Sequence, residues 1–235
     1  MPKAKQRPQP QDDWFPLDPS EHNRQLRALA RMLGKAPKRA LDLGVGDGRT
    51  AAPLAALGHH LLGVDRDPAA VSACKAAGID CLRADFASPS AASQRAWKQI
   101  KAAGPFHAAV CLGNTFLTVA DPHQAAELLR QIAPCLRKGA PFIIDDFSPL
   151  WREVAEGYWQ EGLSDDRTQQ LVWAEGDNLI AVRRGKGVKP SHWSLSKSDT
   201  PLRLWSRGEL SLLAAATGWK LLPPRKDMLS VFERA

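Results

Sequence analysis

The sequence predicts an α/β domain: a Rossmann-like, seven-stranded, mostly parallel sheet with helices on both faces, an antiparallel last strand and a small antiparallel insertion after the fifth strand. Two patterns predict its frame. Short apolar segments rich in Leu, Val, Ile and Ala alternate with helical segments of about ten residues, which implies βαβ units and a parallel sheet covered on both faces. At the C-terminal end two apolar segments stand so close together that they must pair as an antiparallel hairpin.

Taken in order, residues 20–34 read as a helix. Ser20 is an N-cap, Leu26, Leu29, Ala30 and Leu33 follow helical spacing, and Gly34 stops the run. RALDLGVG (39–46) is a buried strand closed by glycines. The alternation continues with helix 49–57, strand 60–65 (HLLGVD), helix 68–77, strand 81–86 (CLRADF) and helix 90–103. Strand 107–112 (HAAVCL), helix 123–137 and strand 141–145 (PFIID) complete it. After Asp146 the pattern changes. A helix at 149–160 aligns Trp151, Val154, Ala155 and Tyr158, and four strand-like pieces (LVWAE, LIAVRR, SHWSLS, PLRLW) follow within 170–205. A helix at 207–217 ends at Gly218, and strands 219–223 and 228–234 form the hairpin. Residues 1–18 read as a basic, Pro-rich disordered leader, and residues 19–235 as one domain with its insertion at about 148–206.

Composition bounds the function. Of 235 residues, 44% are hydrophobic and 24% charged, as in globular chains, so wholesale disorder is excluded. No apolar run approaches the roughly 18–20 residues of a bilayer span, and the leader lacks the apolar centre of a signal peptide. The 4 cysteines form no C-x-x-C pair, which argues for reduced thiols and a cytoplasmic protein without a metal site. The net charge is +7, and residues 183–207 hold seven basic side chains against Asp199 alone. Such a field favours an anionic partner or nucleic acid.

The informative segment is LDLGVGDGRT (41–50), where Gly44, Gly46 and Gly48 fall between a strand and a helix. Missing side chains there let backbone N–H groups approach a ligand. At the tip of the next strand stands Asp65, where nucleotide-binding sheets place a carboxylate that accepts from both ribose hydroxyls. A dinucleotide fingerprint wants glycine where this chain has Arg49, and Asp42, two residues before the first glycine, suits a ligand with a cationic amino-acid end.

LDLGVGDGRT, followed by VDRD and RADF, resembles the class I S-adenosylmethionine-dependent methyltransferases. The resemblance covers about 21–147 and resumes at 206–234. FHAAVCLGNTF (106–116) is similar to the fourth strand of glycine/sarcosine-type N-methyltransferases. The resemblance implies S-adenosyl-L-methionine as cofactor, with Gly44, Gly46 and Gly48 packed under its methionine and ribose parts. It also implies Asp42 near the ammonium through a water, Asp65 on the ribose diol, Asp85 on the adenine amino group, and Phe86 and Arg66 flanking the ring. Leu112, Gly113 and Asn114 would line the methionine arm, and Asn114 would face the acceptor.

The expected reaction is in-line displacement at the methyl carbon, for which alignment and exclusion of water matter most; a base is needed only if the acceptor arrives protonated. Asp145 and Asp146, Tyr158 and His192 are the candidate bases. Asn114, Asp146, Trp151 and Tyr158 are the candidate acceptor contacts, with Trp159, Trp173, Trp193 and Trp205 near them. His59, His60 and His107 start strands, away from the ligand edge. No N-P-P-Y or D-P-P-Y string follows the fourth strand, which disfavours amino methylation of adenine or glutamine, and Pro134-Cys135 reads as packing late in a helix. The leading expectation is a small-molecule methyl acceptor with an N or O nucleophile. An RNA or protein acceptor on the 183–207 stretch and a non-catalytic S-adenosylmethionine-binding module are the alternatives.

Overall fold

A computed structural model describes residues 19–155, 162–164 and 166–234. The leader, Tyr158 and Trp159 lie outside the described residues. The elements are α1 (Pro19–Leu33), β1 (Arg39–Leu43), α2 (Ala51–Ala56), β2 (His60–Asp65), α3 (Pro68–Ala76), β3 (Asp80–Arg83), α4 (Ala91–Ala103), β4 (Ala108–Cys111), α5 (Pro122–Ile132) and β5 (Phe142–Asp145). They continue with α6 (Ser148–Ala155), β6 (Gln169–Trp173), β7 (Leu179–Arg184), β8 (Leu202–Arg203), α7 (Arg207–Ala216), β9 (Trp219–Leu221) and β10 (Leu229–Arg234).

Seven strands form one sheet in the order β3-β2-β1-β4-β5-β10-β9. Strands β1 to β5 are parallel, while β10 runs antiparallel between β5 and β9. The expected architecture, closing hairpin included, is therefore borne out. Alternate residues of each central strand feed two separate cores. Leu41, Leu43, Ala109, Cys111, Phe142 and Ile144 pack under α4, α5 and α7, whereas Ala40, Ala108, Val110 and Ile143 pack under α1, α2 and α3. Both faces being covered, the strands read as unbroken apolar runs instead of alternating ones.

Several boundaries differ from the sequence reading for identifiable reasons. Leu29 and Leu33 of the expected stripe on α1 are buried, but Gln25 and Ala28 share that face in place of Leu26 and Ala30, because the Gln25 amide's bonds to Asp145 and the Met228 carbonyl fix the helix's rotation. Helix α5 ends at Ile132 and tightens into a 3-10 turn over Ala133–Cys135, since Pro134 cannot continue the ladder. Strand β3 stops at Arg83, leaving Asp85 and Phe86 in the following loop. In the insertion, β6, β7 and β8 form the expected antiparallel sheet, but SHWSLS is not a strand; it touches β6 through a single bridge, Trp173 to Ser194. The cysteines are free and buried, and among the described residues no helix is long and apolar enough to cross a membrane.

The small sheet is fastened to the main one. Ile180, Leu202, Leu204 and Trp205 join the core on the α5 face. Arg203, only 7% exposed at its side chain, pairs with Asp177 (2.7 Å) and Glu209 (3.1 Å). Its Nε donates to the Ala120 carbonyl at 2.7 Å, tying the insertion to the loop before α5. Replacing one partner of a buried charged network leaves the others uncompensated. Arg203→Ala should therefore lower the unfolding free energy by roughly 2 kcal/mol or more in urea titrations, with the main-sheet elements still forming.

Candidate active site

Strand order reverses between β1 and β4, so the loops leaving these neighbours diverge and open a crevice at their carboxyl ends. On one side lies the 44–50 turn. Its Gly44 has φ +75°, and a Cβ there would strike the Thr115 side chain, so only glycine lets the turn fit against the loop after β4. Asp65 at the tip of β2 braces the turn: Oδ2 accepts from the Gly46 N–H at 2.9 Å and Oδ1 from the Asp67 N–H at 2.9 Å. A Cβ on Gly46 would meet nothing within 4 Å, so the space above it is open.

On the other side the loop after β4 turns through Gly113 and Asn114, both left-handed (φ +74° and +61°). Asp145, buried at the tip of β5, holds this turn. Its carboxylate accepts from the Asn114 N–H at 2.8 Å, the Gly113 N–H at 3.4 Å and Gln25 Nε2 at 3.1 Å. Gln25 Nε2 also reaches the Met228 carbonyl at 3.1 Å, so α1, β5, the start of β10 and the loop after β4 meet at one point. Asp145 is thereby a positioning carboxylate within the fold and not a group free to take a proton from an acceptor. A Cβ on Gly113 would collide with the Arg49 guanidinium, which places that cation across the crevice from the turn that carries it.

Charge is concentrated here. Asp42 is 2% exposed, and its Oδ2 has no hydrogen-bond partner among the described residues. Burial pushes its carboxyl up to about 7; negative Asp65 adds to the rise and Arg49 opposes it. Burial also raises Asp145, against the hydrogen bonds from Asn114, Gln25 and Gly113 and the attraction of Arg49. An unpartnered buried carboxylate oxygen, a nearby guanidinium, open space over Gly46 and a braced acid at the tip of β2 fit a ligand carrying both an ammonium and a carboxylate beside a ribose.

The other expected residues are distributed as follows. Leu112 is buried and Gly113 and Asn114 lie at the crevice. Asp85 is exposed, 4.0 Å from Arg66 across the tips of β2 and β3. Phe86 is 8% exposed within the core, its carbonyl accepting from Trp97 Nε1 at 3.1 Å. Asp146 Oδ1 accepts from the Ser148 N–H (3.1 Å) and hydroxyl (2.7 Å) and so caps the start of α6. Trp151 donates to the Trp205 carbonyl at 3.1 Å and stands edge-on to Trp173, ring centroids 6.3 Å apart. Trp205 belongs to the core, against Phe116 at 5.5 Å. His192 lies in the insertion, in a cavity that takes no lining residue from the tips of β1 to β5. His107 Nδ1 accepts from the Arg39 N–H at 3.1 Å, on the opposite edge of the sheet. The sequence reading missed Gln25 and Arg49 as site residues. An amide at the i−4 position of Leu29 on a buried helical face was the available signal for the first; for the second there was only the absence of a glycine.

The comparisons agree with this geometry. Residues 40–139, from β1 past the loop after α5, match the family described as Methyltransferase domain. Over those residues the chain is similar to methyltransferase domains. The expected fold is thus borne out, and the match over 40–139 agrees with the expected class I S-adenosylmethionine-dependent methyltransferase. The methyltransferase CcbJ from Streptomyces caelestis is 19% identical, with 93% of this chain and 97% of that chain covered and a TM-score of 0.61. CalS10 from Micromonospora echinaspora, an amino pentose methyltransferase solved with S-adenosylmethionine bound, is 16% identical, with 92% of each chain covered and a TM-score of 0.57. KedS8 from Streptoalloteichus, a sugar N-methyltransferase, is 19% identical over 92% of this chain and 87% of that chain, with a TM-score of 0.55. At these identities the likeness is one of fold. A comparison with the curated proteins found no match.

The Asp42 environment gives a pH test of the crevice. The folded chain keeps this proton up to about pH 7, while the unfolded chain releases it near 3.8. Between those values the folded state binds more protons, so stability falls as pH rises and levels off above about 7. In denaturant titrations from pH 4.5 to 8, Asp42→Asn should flatten this loss and raise the ligand-free protein's unfolding free energy at pH 7 by on the order of 2 kcal/mol.

Proposed function

We propose that the chain transfers a methyl group from S-adenosylmethionine to a small-molecule acceptor with a nitrogen or oxygen nucleophile. The buried, unpartnered Asp42 oxygen beside Arg49, over an open glycine turn braced by Asp65, carries this reading. A pyrophosphate would bring only negative charge to Asp42, Asp65 and Asp145. A methionyl end brings an ammonium for Asp42 and a carboxylate for Arg49.

In this reading Gly44, Gly46 and Gly48 lie under the methionine and ribose, Asp65 accepts from the ribose hydroxyls, and Asp85, with Arg66 beside it, accepts from the adenine amino group. Leu112, Gly113 and Asn114 border the methionine arm, their turn held by Asp145. Phe86, buried as it is, supports the adenine wall from the core. The sulfonium supplies the electrophilic methyl when bound. The protein's own part is to align the acceptor at the strand tips and keep water out. Asp146 and Trp151, at the start of α6, are on the element that leaves this crevice and are the acceptor-side candidates; Tyr158 follows them in sequence.

A small acceptor is supported by the structural relatives. They include a sugar N-methyltransferase and an amino pentose methyltransferase, and they match 92% of this chain. It is supported too by the pairing of the charge in the insertion. Arg183 is committed to Asp199 and Arg203 to Asp177 and Glu209, so the 183–207 stretch is a poorer track for RNA than its sequence implies. In this reading residues 19–235 are one domain, with its acceptor-side insertion at about 148–206.

The decisive experiment is to incubate the protein with methyl-labelled S-adenosylmethionine and fractionated cell extract; label is expected in small metabolites, and label in RNA or protein alone would overturn the acceptor assignment. Asp65→Ala should weaken S-adenosylhomocysteine binding by at least about tenfold in calorimetry, given the roughly 1.5–3 kcal/mol of a charge-assisted hydrogen bond. Below pH 7 the wild-type affinity should fall by up to about tenfold per unit as Asp42 takes up its proton, and Asp42→Asn should remove that dependence.

A further inference from the structure

Helix α1 buries Gln25, Ala28, Leu29 and Leu33 and turns Arg24, Arg27 and Arg31 to the exterior. Spaced three and four residues apart, the three guanidinium groups form one row along the helix, with Arg24 and Arg31 two turns, or about 10.5 Å, apart. From His22 to Leu41 the chain holds six cations (Arg24, Arg27, Arg31, Lys35, Lys38 and Arg39) and no acid. Among the described residues none of the three arginines in the row meets a carboxylate or any other hydrogen-bond partner. Arg183 and Arg203 of the 183–207 stretch, by contrast, are bonded to acids.

A second wall stands beside the row. The turn before β10 carries Arg225, Lys226 and Asp227. Arg225 chelates Asp227, Nε donating to Oδ1 at 3.0 Å and Nη2 to Oδ2 at 2.6 Å, and so cancels the one acid of the turn, which is 8% exposed. Lys226, between them, is exposed and has no partner among the described residues. Gln25, next to Arg24 but facing inward, donates to the Met228 carbonyl at 3.1 Å and ties the turn to α1. Between helix and turn lies a cleft of about 650 Å³ lined by Arg24, Arg31, Arg225, Lys226 and Asp227. With Arg225 and Asp227 spent on each other, Arg24, Arg31 and Lys226 leave it positively charged.

A small anion engages one turn of such a row, whereas a chain of anions engages all of it. A protein partner needs an apolar anchor at the centre of its interface. The large hydrophobic side chains exposed among the described residues, Leu57, Trp193 and Leu212, lie on neither α1 nor this turn. A lipid surface needs an apolar helix face to insert, and that of α1 is packed into the core. A phosphodiester backbone needs cations alone, and the planar guanidinium fork fits its oxygens.

We propose that the outer face of α1, with the cleft beside it, docks the phosphate backbone of a nucleic-acid strand. Arg24, Arg27, Arg31 and Lys226 contact its phosphates. No amide or aromatic side chain lines the cleft, so docking is indifferent to base sequence. The surface shares no residue with the donor crevice and does not rest on the methyl-transfer reading; the strand is a docking partner and not the acceptor.

The probe is a labelled RNA of about 20 nucleotides and mixed sequence, titrated with the full chain in fluorescence anisotropy at rising salt. Binding is expected at low salt and weakens as salt is added. Arg24→Gln/Arg31→Gln should weaken it at least about tenfold and reduce the slope of log affinity against log salt by roughly 1.4, at about 0.7 per phosphate contact. Its S-adenosylhomocysteine affinity and urea midpoint should stay at the wild-type values. Lys186→Gln/Lys197→Gln, an exposed pair in the 183–207 stretch, should leave RNA binding nearly unchanged. Should the arginine variant fail to fold, Arg27→Gln/Lys226→Gln replaces it, with the same losses expected. No RNA binding by a cooperatively folded wild type at low salt, or binding indifferent to these substitutions, overturns the proposal. So does an equal loss from the lysine pair, or a preference for poly-glutamate or phosphatidylserine vesicles over RNA. Failure of the donor reading would show instead as absence of S-adenosylhomocysteine binding with RNA binding intact.

Discussion

The crevice depends on one buried carboxylate. Asp145 ends β5 in the interior, where an unpaired charge is costly, and it is matched by two backbone N–H groups and the Gln25 amide. Those bonds have geometric consequences. The Gly113–Asn114 turn takes left-handed conformations, α1 is rotated so that an amide sits among its apolar residues, and the first residues before β10 are drawn to the same point. Without Asp145 the loop after β4 would have no reason to stand where Gly113 meets Arg49 and Thr115 meets Gly44. The divergence of the β1 and β4 loops comes from topology, but the width of the gap comes from this acid.

The electrostatics of the gap follow from the same packing. Asp42 lies one position from two apolar residues that face the opposite core, so alternation along β1 places it on the α1–α3 side, sealed from water. With Asp65 near it, the site accumulates negative potential, and Arg49, which also acts on Asp145, is the cation that offsets it. An ionised carboxylate in such surroundings is stabilised by a bound cation more than by any rearrangement of the protein, and that is the physical reason the donor reading favours an ammonium-bearing ligand.

Much of this was legible in the sequence because it rests on local rules. Strand–helix alternation, the glycine turn and an acid at the end of the next strand are patterns of neighbours, and they placed β1 to β5 and the closing hairpin correctly. Apart from the local ends of α5 and β3, the misreadings involve long-range polar bonds. Gln25 drew no reading at all, since its partners are Asp145 and Met228, 120 and 203 residues away. SHWSLS has strand-like composition, but Gln170 and Arg183 take its carbonyls before a ladder can. Arg49 registered only as a missing glycine, since nothing in a linear string shows that it crosses the gap to Gly113.

The basic stretch teaches the same lesson with the opposite sign. Counted along the chain, residues 183–207 hold seven cations against a single acid and look like a polyanion track. In three dimensions Asp177 and Glu209, both outside the densest part of that stretch, return to neutralise Arg203, and Asp199 neutralises Arg183. The two arginines act as fasteners, one joining the insertion to the loop before α5 and the other shaping the 185–201 segment. The stretch thus offers a polyanion fewer cations than its sequence counts. Charge counted along the chain is therefore a poor guide to charge displayed on the surface, because the partners that cancel it come from other parts of the sequence.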